Sequence, residues 1–270
     1  YLLCAGGYVA SDFHLVRAYP DKMLKWGYFP ATKRLGEREK EALMEKHVKG
    51  TVSLMWAGRF LDWKHPELPV LLAECLKKKG YDFHLSMVGG GEMEEEVKRM
   101  ISEKGLEREV TLCGYLQPAQ VREMMERTQV YLFTSDYKEG WGAVLNEAMN
   151  SGCAVLASHA IGAVPFLLRQ GENGVVFESG NLRDMKEKAE RLLKSPAERK
   201  RLGRAACETI LQEWNAELAA NRLVELAGKV LEADKRNTVR KADEMAYASG
   251  PLSAAEVIAP GKMYRYLIGD

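Results

Sequence analysis

Short apolar runs alternate with longer helical segments between residues 51 and 194. The runs are TVSLMWAG, DFHLSMVGGG, EVTLCG, QVYLFTS, CAVLAS and GVVFES, and a helical pattern follows each of them. Within most runs consecutive residues are apolar, as in strands that are buried on both faces. Strands that alternate with helices form a parallel sheet with helices on both sides. The sequence therefore predicts an α/β fold.

The segments on either side of this pattern are less regular. Residues 1–30 hold an apolar strand, YLLCAGGYVA, a short helix in SDFHLVRAY capped by Ser11 or Asp12, and an extended run, KMLKWGYFP. Residues 32–50 contain one helix and have the composition of a surface linker, so we place a domain boundary near residue 50. Residues 196–234 indicate two amphipathic helices, and the tail is weakly patterned. Because the chain opens on a buried strand, it looks like the later part of a longer protein.

Composition narrows the class of protein. The chain has 39 basic and 38 acidic residues, and this balance argues against bulk attraction to nucleic acid or to an anionic membrane. No apolar run reaches the roughly 18 residues of a membrane helix. Five scattered cysteines without a CxxC pair indicate reduced thiols in a cytosolic protein, not a disulfide framework or a zinc site. These are Cys4, Cys75, Cys113, Cys153 and Cys207.

Ligands of such a sheet bind beyond the carboxyl ends of the strands, so the loops there are the candidates. The first loop, GRFLDWK, carries Arg59 and Lys64. The forked donors of arginine and the point charge of lysine suit a diphosphate. The alternative is that both are solvated surface cations.

Two further loops offer backbone rather than charge. The loop VGGGE places Gly89 and Gly90 before a helix, where a ligand can approach the backbone closely. It is not GxGxxG, and an ordinary tight turn is the alternative reading. In CGYLQP, Tyr115 and Leu116 follow a strand, and they could contact a nucleobase.

The stretch YKEGWGAVLNEAMNSG has an acid on either side of a predicted helix start. Gly140 and Gly142 free the backbone there, and the first amides of the helix, with its dipole, favour an anion. Glu139 precedes the helix and would face a sugar hydroxyl or an amide. Glu147 lies inside the helix and could accept hydrogen bonds from two ribose hydroxyls, or lie on a solvated helix face.

Taken together, these motifs resemble a known family. Their order and spacing are similar to those of the motifs in retaining nucleotide-sugar glycosyltransferases of the GT-B architecture, with family 4 as the nearest group. The motifs that carry this resemblance are GRFLDWK, VGGGE, CGYL, EGWGAVLNEAMNSGCAVLAS, GAVPFLL and GENGVVF. The resemblance implies two facing Rossmann-like domains. Residues 1–49 would end the acceptor-side domain, 50–195 would be the donor-binding domain, and 196–270 would cross back to the first. The first domain would be a remnant here.

The resemblance also implies roles for single residues. Arg59 and Lys64 would bind the donor diphosphate, Glu139 would lie by the transferred sugar and Glu147 would hold the ribose. Other donor contacts are implied for Gly89, Gly90, Tyr115, Leu116, Gly140, Trp141, Gly142, Ala143 and Val144. Trp141 stands where the family often has phenylalanine, and Phe166 stands near a position where it often has an acid, so no role passes to Phe166.

The implied reaction moves a hexose from a nucleoside diphosphate to a glycan or lipid-linked acceptor, with retention, in polysaccharide or cell-envelope synthesis. It would need neither a cofactor nor a metal ion, and no DxD cluster ends a strand. The setting would be the cytoplasm or the inner membrane face, with membrane attachment through a missing region. Three alternatives stay open: a nucleotide-sugar binding module inactive by itself, a GT-B epimerase, and an NAD-binding domain, which the missing fingerprint disfavours.

Overall fold

The computed structural model describes residues 1–48, 50–236, 238 and 240–269. The strands of this part are β1 (Leu2–Ala5), β2 (Met23–Trp26), β3 (Val52–Ala57), β4 (Phe83–Val88), β5 (Val110–Gly114), β6 (Val130–Phe133), β7 (Ala154–Ser158) and β8 (Val175–Phe177). The helices are α1 (Val9–Leu15), α2 (Glu37–Met44), α3 (Glu67–Lys78), α4 (Glu94–Glu103), α5 (Pro118–Arg127), α6 (Val144–Asn150), α7 (Val164–Leu167), α8 (Leu182–Lys194), α9 (Pro196–Gln212), α10 (Ala216–Lys235), α11 (Ala242–Met245) and α12 (Pro260–Ile268). Two 3₁₀ turns span Glu45–His47 and Asp62–Lys64.

Six strands form one sheet in the order β5-β4-β3-β6-β7-β8, and every neighbouring pair is parallel. This confirms the predicted α/β fold. The chain runs outward from β3 to β5 and then returns to β6 on the other side of β3. Adjacent strands whose connections leave in opposite directions open a crevice at their carboxyl ends, where ligands of such sheets bind.

Helices cover both faces of this sheet. Alternate residues of each strand point to opposite faces, and apolar side chains on both faces need to be buried. In β3, Leu54 and Trp56 belong to a core shared with α3, α4 and α8. Met55, between them, belongs to a second core shared with α5, α6, α7 and α9. We call this sheet with its helices the six-stranded unit.

The strands β1 and β2 form a separate parallel pair, with α1 connecting them. The later part of α10 and the tail pack on this pair, where Leu226 and Leu252 join a core with Leu24. We call this assembly the two-stranded unit. Helix α1 begins at Val9, so the prediction that Ser11 or Asp12 caps it is wrong: both lie inside the helix, and the Ser11 hydroxyl donates to the Ile258 carbonyl at 2.5 Å.

The segment predicted as a surface linker packs on the six-stranded unit. Met44 and His47 are fully buried, and the His47 ring contacts the Gly152 carbonyl at 2.9 Å through Nε2. The Lys46 ammonium donates to the carbonyls of Met125 and Ser151, at 3.2 and 2.7 Å. These carbonyls lie at the C-terminal ends of α5 and α6, where a cation is favourable. Most of the segment is exposed, and polar side chains make most of its contacts with the six-stranded unit, which composition alone does not distinguish from solvated side chains.

Candidate functional site

A cleft of about 320 Å³ opens at the carboxyl edge of the sheet, beside the crevice between β3 and β6. Its walls come from the loops after β3, β4, β5 and β6 together with α5. The predicted residues that line it are Arg59, Lys64, Gly89, Tyr115, Leu116, Glu139, Gly142, Ala143 and Val144. The lining residues that sequence reasoning missed are Ala57, Gly58, Val88 and Val121. The first three end strands and had a usable signal in that position, whereas nothing marked Val121 within its helix.

Glycines after β3 and β4 let these two loops touch. Gly89 has a φ of 119°, and a Cβ atom there would lie 2.0 Å from the Gly58 carbonyl oxygen. A Cβ atom on Gly90 would lie 2.9 Å from the Tyr115 ring, and Gly90 is not among the lining residues. The predicted close approach therefore exists, but the protein's own backbone makes it.

Tyr115 and Leu116 form the outer wall. The Tyr115 side chain is 74% exposed and presents its ring to solvent. Leu116 is half-buried and packs on the core below the cleft. An exposed ring beside an apolar side chain can stack on a planar ligand such as a nucleobase.

The two cations at the mouth of the cleft differ in whether an acidic side chain pairs with them. Lys64 forms an ion pair with Glu139, and their side chains are only 15% and 12% exposed. The Ser135 hydroxyl also donates to Glu139, at 3.3 Å. Arg59 is exposed, and no carboxylate pairs with it within the described part of the chain. An anionic ligand would therefore find one cation available and a second already held in place by an acid.

The loop after β3 is joined to the loop after β6 by further contacts. The Asp136 amide donates to the Trp63 carbonyl at 2.9 Å. His65 hydrogen-bonds to Glu67 at 2.8 Å and lies 3.7 Å from Asp136. The hydrogen bond to Glu67 and the nearby acids raise the pKa of His65, although partial burial opposes the change. Lys64 and Glu139 thus lie on two loops that also contact each other elsewhere.

Trp141 does not reach the cleft. Its side chain is 3% exposed, its indole N–H donates to Asn146 at 3.0 Å, and its ring lies 5.8 Å from that of Trp214. A donor contact by the Trp141 side chain is therefore excluded by burial. Gly140 is exposed, and its carbonyl oxygen contacts the two-stranded unit: a Cβ atom built on Gly6 would lie 2.7 Å from this oxygen.

Glu147 lies one helical turn beyond Ala143, and the Glu147 amide donates a hydrogen bond to the Ala143 carbonyl at 3.4 Å. It is half-buried and is not among the lining residues. Burial raises the pKa of Glu147, and the charge of Arg122 partly offsets this. The structure therefore places Glu147 beside α5, behind the helix start that Ala143 and Val144 present to the cleft.

Three observations concern classes of site beyond this cleft. Among the residues with described positions, no three His, Cys, Asp or Glu side chains converge in a way that could hold a metal ion. In the same part of the chain, no helix is both long and apolar enough to cross a membrane. All five cysteines are free thiols.

The fold is that of GT-B glycosyltransferases. It is similar to TarM of Staphylococcus aureus, solved with fondaparinux, α-GlcNAc-glycerol and UDP, with a TM-score of 0.69 at 22% identity over 83% of this chain and 43% of that one. It is also similar to HepE of Anabaena, solved with UDP and glucose, with a TM-score of 0.65 at 17% identity over 84% of this chain and 62% of that one.

The family model for glycosyl transferases group 1 matches residues 38–209, and the chain belongs to this family. It is 28% identical to a poly(ribitol-phosphate) alpha-N-acetylglucosaminyltransferase of S. aureus, over 64% of this chain and 34% of that protein. It is 26% identical to a D-inositol 3-phosphate glycosyltransferase of Corynebacterium aurimucosum, over 70% of this chain and 46% of that protein. The chain thus spans between a third and a half of these two relatives.

Proposed function

We propose that this chain carries the donor-binding part of a retaining, metal-independent hexosyltransferase, of the type of glycosyltransferase family 4, that uses a nucleoside-diphosphate sugar and no cofactor. One observation carries the proposal: Arg59, Lys64 and the helix start at Ala143 line one cleft, with Tyr115 at its outer wall. Cations and helix amides suit a diphosphate, and the exposed ring suits a base.

In the reaction, the bond from the anomeric carbon to the diphosphate oxygen breaks, and a bond to the acceptor oxygen forms. The acceptor hydroxyl loses its proton to the departing phosphate or to a base. Negative charge grows on the leaving diphosphate, and cations already positioned for it lower the barrier. Arg59 and Lys64 supply that charge, and we assign the sugar to Glu139, the ion-pair partner of Lys64. We assign the ribose to Glu147, which lies behind the helix start.

The names of relatives support the proposed setting. Besides the two enzymes above, an amylovoran biosynthesis glycosyltransferase of Erwinia amylovora is 26% identical over 59% of this chain and 40% of that protein. We infer a glycan or lipid-linked acceptor in polysaccharide or cell-envelope synthesis, on the cytoplasmic side of the membrane. Residues 1–49 and 196–270 would then belong with the acceptor-side domain.

A nucleotide-sugar binding module without activity of its own is the second candidate. This chain spans 34% and 46% of the length of the two relatives. These shares favour the binding module, because acceptor contacts in these enzymes would lie largely outside this chain. A transfer assay of this chain with a labelled nucleotide sugar and glycan acceptors would separate the two candidates, because the enzyme transfers the sugar and the module only binds it.

The nucleotide site can be tested in the chain as it is. Arg59→Ala and Lys64→Ala should each weaken binding of the tightest ligand among UDP, GDP and ADP by at least about tenfold, because each removes a charge-assisted hydrogen bond to phosphate. In an active form of the enzyme, each should lower turnover by about a hundredfold. Titration calorimetry measures the first effect and a transfer assay the second.

Arg99→Ala is the matched control, because Arg99 is an exposed cation on α4 whose nearest acid is Glu103, 3.8 Å away. It should leave nucleotide affinity unchanged. If none of the three nucleotides binds, or if Arg59→Ala and Lys64→Ala bind as tightly as Arg99→Ala, the proposed function is wrong.

A further inference from the structure

Thr134, the residue directly after β6, lies between β3 and the loop that carries Lys64. It is 1% exposed, and its hydroxyl accepts a hydrogen bond from the Trp56 indole N–H at 2.8 Å. The same hydroxyl donates to the Lys64 carbonyl at 2.7 Å, with the His65 carbonyl 3.1 Å away. One buried oxygen thus connects three segments: the end of β3, the end of β6 and the loop between β3 and α3.

A hydroxyl is required at this position. The Trp56 indole can only donate and the two carbonyls can only accept, so the group between them must do both. Leaving any of these atoms buried without a partner would cost free energy. A serine or threonine hydroxyl can accept from the indole and donate its one proton to the Lys64 carbonyl, and a valine of the same shape can do neither. The His65 carbonyl also accepts the Leu68 amide at 3.2 Å.

Apart from Thr134, the Lys64 backbone is supported by hydrogen bonds within its own loop, since the Lys64 amide donates to the Leu61 carbonyl at 3.0 Å. It ends a single 3₁₀ turn, Asp62–Lys64, and the next residue, His65, is left-handed with a φ of 50°. The peptide that joins Lys64 to His65 is held on both sides: its N–H donates to the Asp62 carbonyl at 3.0 Å, and its carbonyl accepts the Thr134 hydroxyl at 2.7 Å. Asp62 belongs to the same short turn, so Thr134 supplies the one contact of these two that ties the orientation of the peptide to the sheet. The direction of the Lys64 side chain toward the cleft follows from that orientation.

We propose that Thr134 is a positioning residue of the nucleotide site: its hydroxyl sets the Lys64 peptide, and thereby places the Lys64 ammonium at the mouth of the cleft. This inference rests on the proposed function. Thr134 itself is not among the residues that line the cleft. Its effect on binding therefore passes through Lys64.

The test compares Thr134→Val and Thr134→Ser in the chain as it is, by calorimetry with the nucleoside diphosphate that binds most tightly. We expect Thr134→Val to weaken binding between about tenfold and a hundredfold, as displacement of a positioned group does. Thr134→Ser should restore affinity to within about threefold, since it keeps the hydroxyl. All measurements are made below the unfolding temperature of each variant.

A matched control separates positioning from stability. Thr128 is also buried, and its hydroxyl donates to the Met124 carbonyl at 2.8 Å, away from the cleft. Thr128→Val should lower the melting temperature and leave affinity unchanged. If Thr134→Val behaves in the same way, Thr134 has a structural role alone and the inference is overturned.

A double variant tests the route through Lys64. If Thr134 acts through that side chain, Thr134→Val should weaken binding much less in a Lys64→Met background than in the native chain, because the two changes remove the same interaction. Additive losses would overturn the inference. An unchanged affinity of Lys64→Met alone would instead count against the proposed function, so the two failures are distinguishable.

Discussion

His65 adopts a left-handed backbone conformation, which asparagine tolerates and most other side chains avoid. Its imidazole bonds to Glu67 on one side and faces Asp136 on the other, with Asp62 also near. The Glu67 hydrogen bond is the largest cause of its raised pKa. His65 therefore joins the start of α3 to the loop after β6 most strongly when it is protonated.

This charge makes a pH-dependent contribution to stability. Because the folded-state pKa of His65 lies above the usual value of about 6.5, its contribution is fully present below that pH and is lost as pH rises through the raised value. His65→Asn keeps the backbone conformation without a titrating group. The difference in free energy of unfolding between native chain and variant should shrink from about pH 6 to about pH 9. Urea denaturation measures it, and a difference that stays constant across this range would contradict the prediction.

At the scale of single residues, the positions of charged loop residues were predicted better than those of buried residues. Arg59, Lys64 and Glu139 were placed at one edge because each follows a strand, and parallel strands end at the same edge. Trp141 was misplaced because its neighbours, such as Trp214, are far away in sequence, and nothing local shows to which side a loop aromatic turns. The exposure of Tyr115 could be predicted, but the pairing of Lys64 with Glu139 could not.

At the scale of elements, glycine controls how closely α9 packs on the end of α6. A Cβ atom on Gly203, inside α9, would lie 2.3 Å from the Gly152 carbonyl oxygen and 2.7 Å from the His47 ring. Gly203 thus meets the 3₁₀ turn that follows α2 and the residue that follows the C-cap of α6. The three elements share one contact point, at which Gly203 leaves room for the Gly152 carbonyl and the His47 ring.

This contact reverses the usual effect of replacing a helical glycine. Alanine stabilises an exposed helix interior by about 0.8–1 kcal/mol relative to glycine. Gly228→Ala in α10 should follow that rule, because Gly228 is exposed and no atom lies within 4 Å of its Cβ position. Gly203→Ala should instead destabilise by about 1–3 kcal/mol through overpacking. Chemical denaturation of both variants measures the contrast, and equal stabilisation by the two would show that α9 packs less closely.

The strands were predictable at this scale because an apolar run is a local signal. The predicted runs contain every strand of the six-stranded unit, with boundaries shifted by no more than three residues. The packing of α2 was not predictable, since Met44 is its one fully buried apolar side chain and the remaining contacts are polar. The tail helices α11 and α12 were missed because they are short and weakly patterned.

At the scale of the whole molecule, aromatic rings join the two units. Phe29, just after β2, stacks on Trp214 at 6.0 Å, and Trp214 also stacks on Phe166 at 6.1 Å. Trp141 lies against Trp214 and Tyr28. Phe166, at a position for which the sequence offered no role, therefore belongs to this junction.

Trp141→Phe tests whether Trp141 serves the junction or the ligand. The smaller ring leaves a cavity and removes the partner of Asn146, so the free energy of unfolding should fall by about 1–3 kcal/mol. Affinity for the nucleoside diphosphate should not change, because the side chain lies outside the cleft. Denaturation and calorimetry on the same preparation measure both quantities, and a loss of affinity in folded protein would return Trp141 to the binding site.

The glycines where the two units meet have a mechanical consequence. The Gly7 amide donates to the Gly162 carbonyl at 2.8 Å, and the Gly140 carbonyl lies against Gly6 and Gly162. A contact made by main-chain atoms has no side chain that can swing aside, so a Cβ atom on Gly6, 2.7 Å from the Gly140 carbonyl oxygen, would force the two units apart, and a Cβ atom on Gly162 would lie 1.9 Å from the same oxygen. Gly162 also donates its amide to the Glu139 carbonyl at 2.9 Å, so the main chain of the acid at the cleft is tied directly to the place where the two units meet.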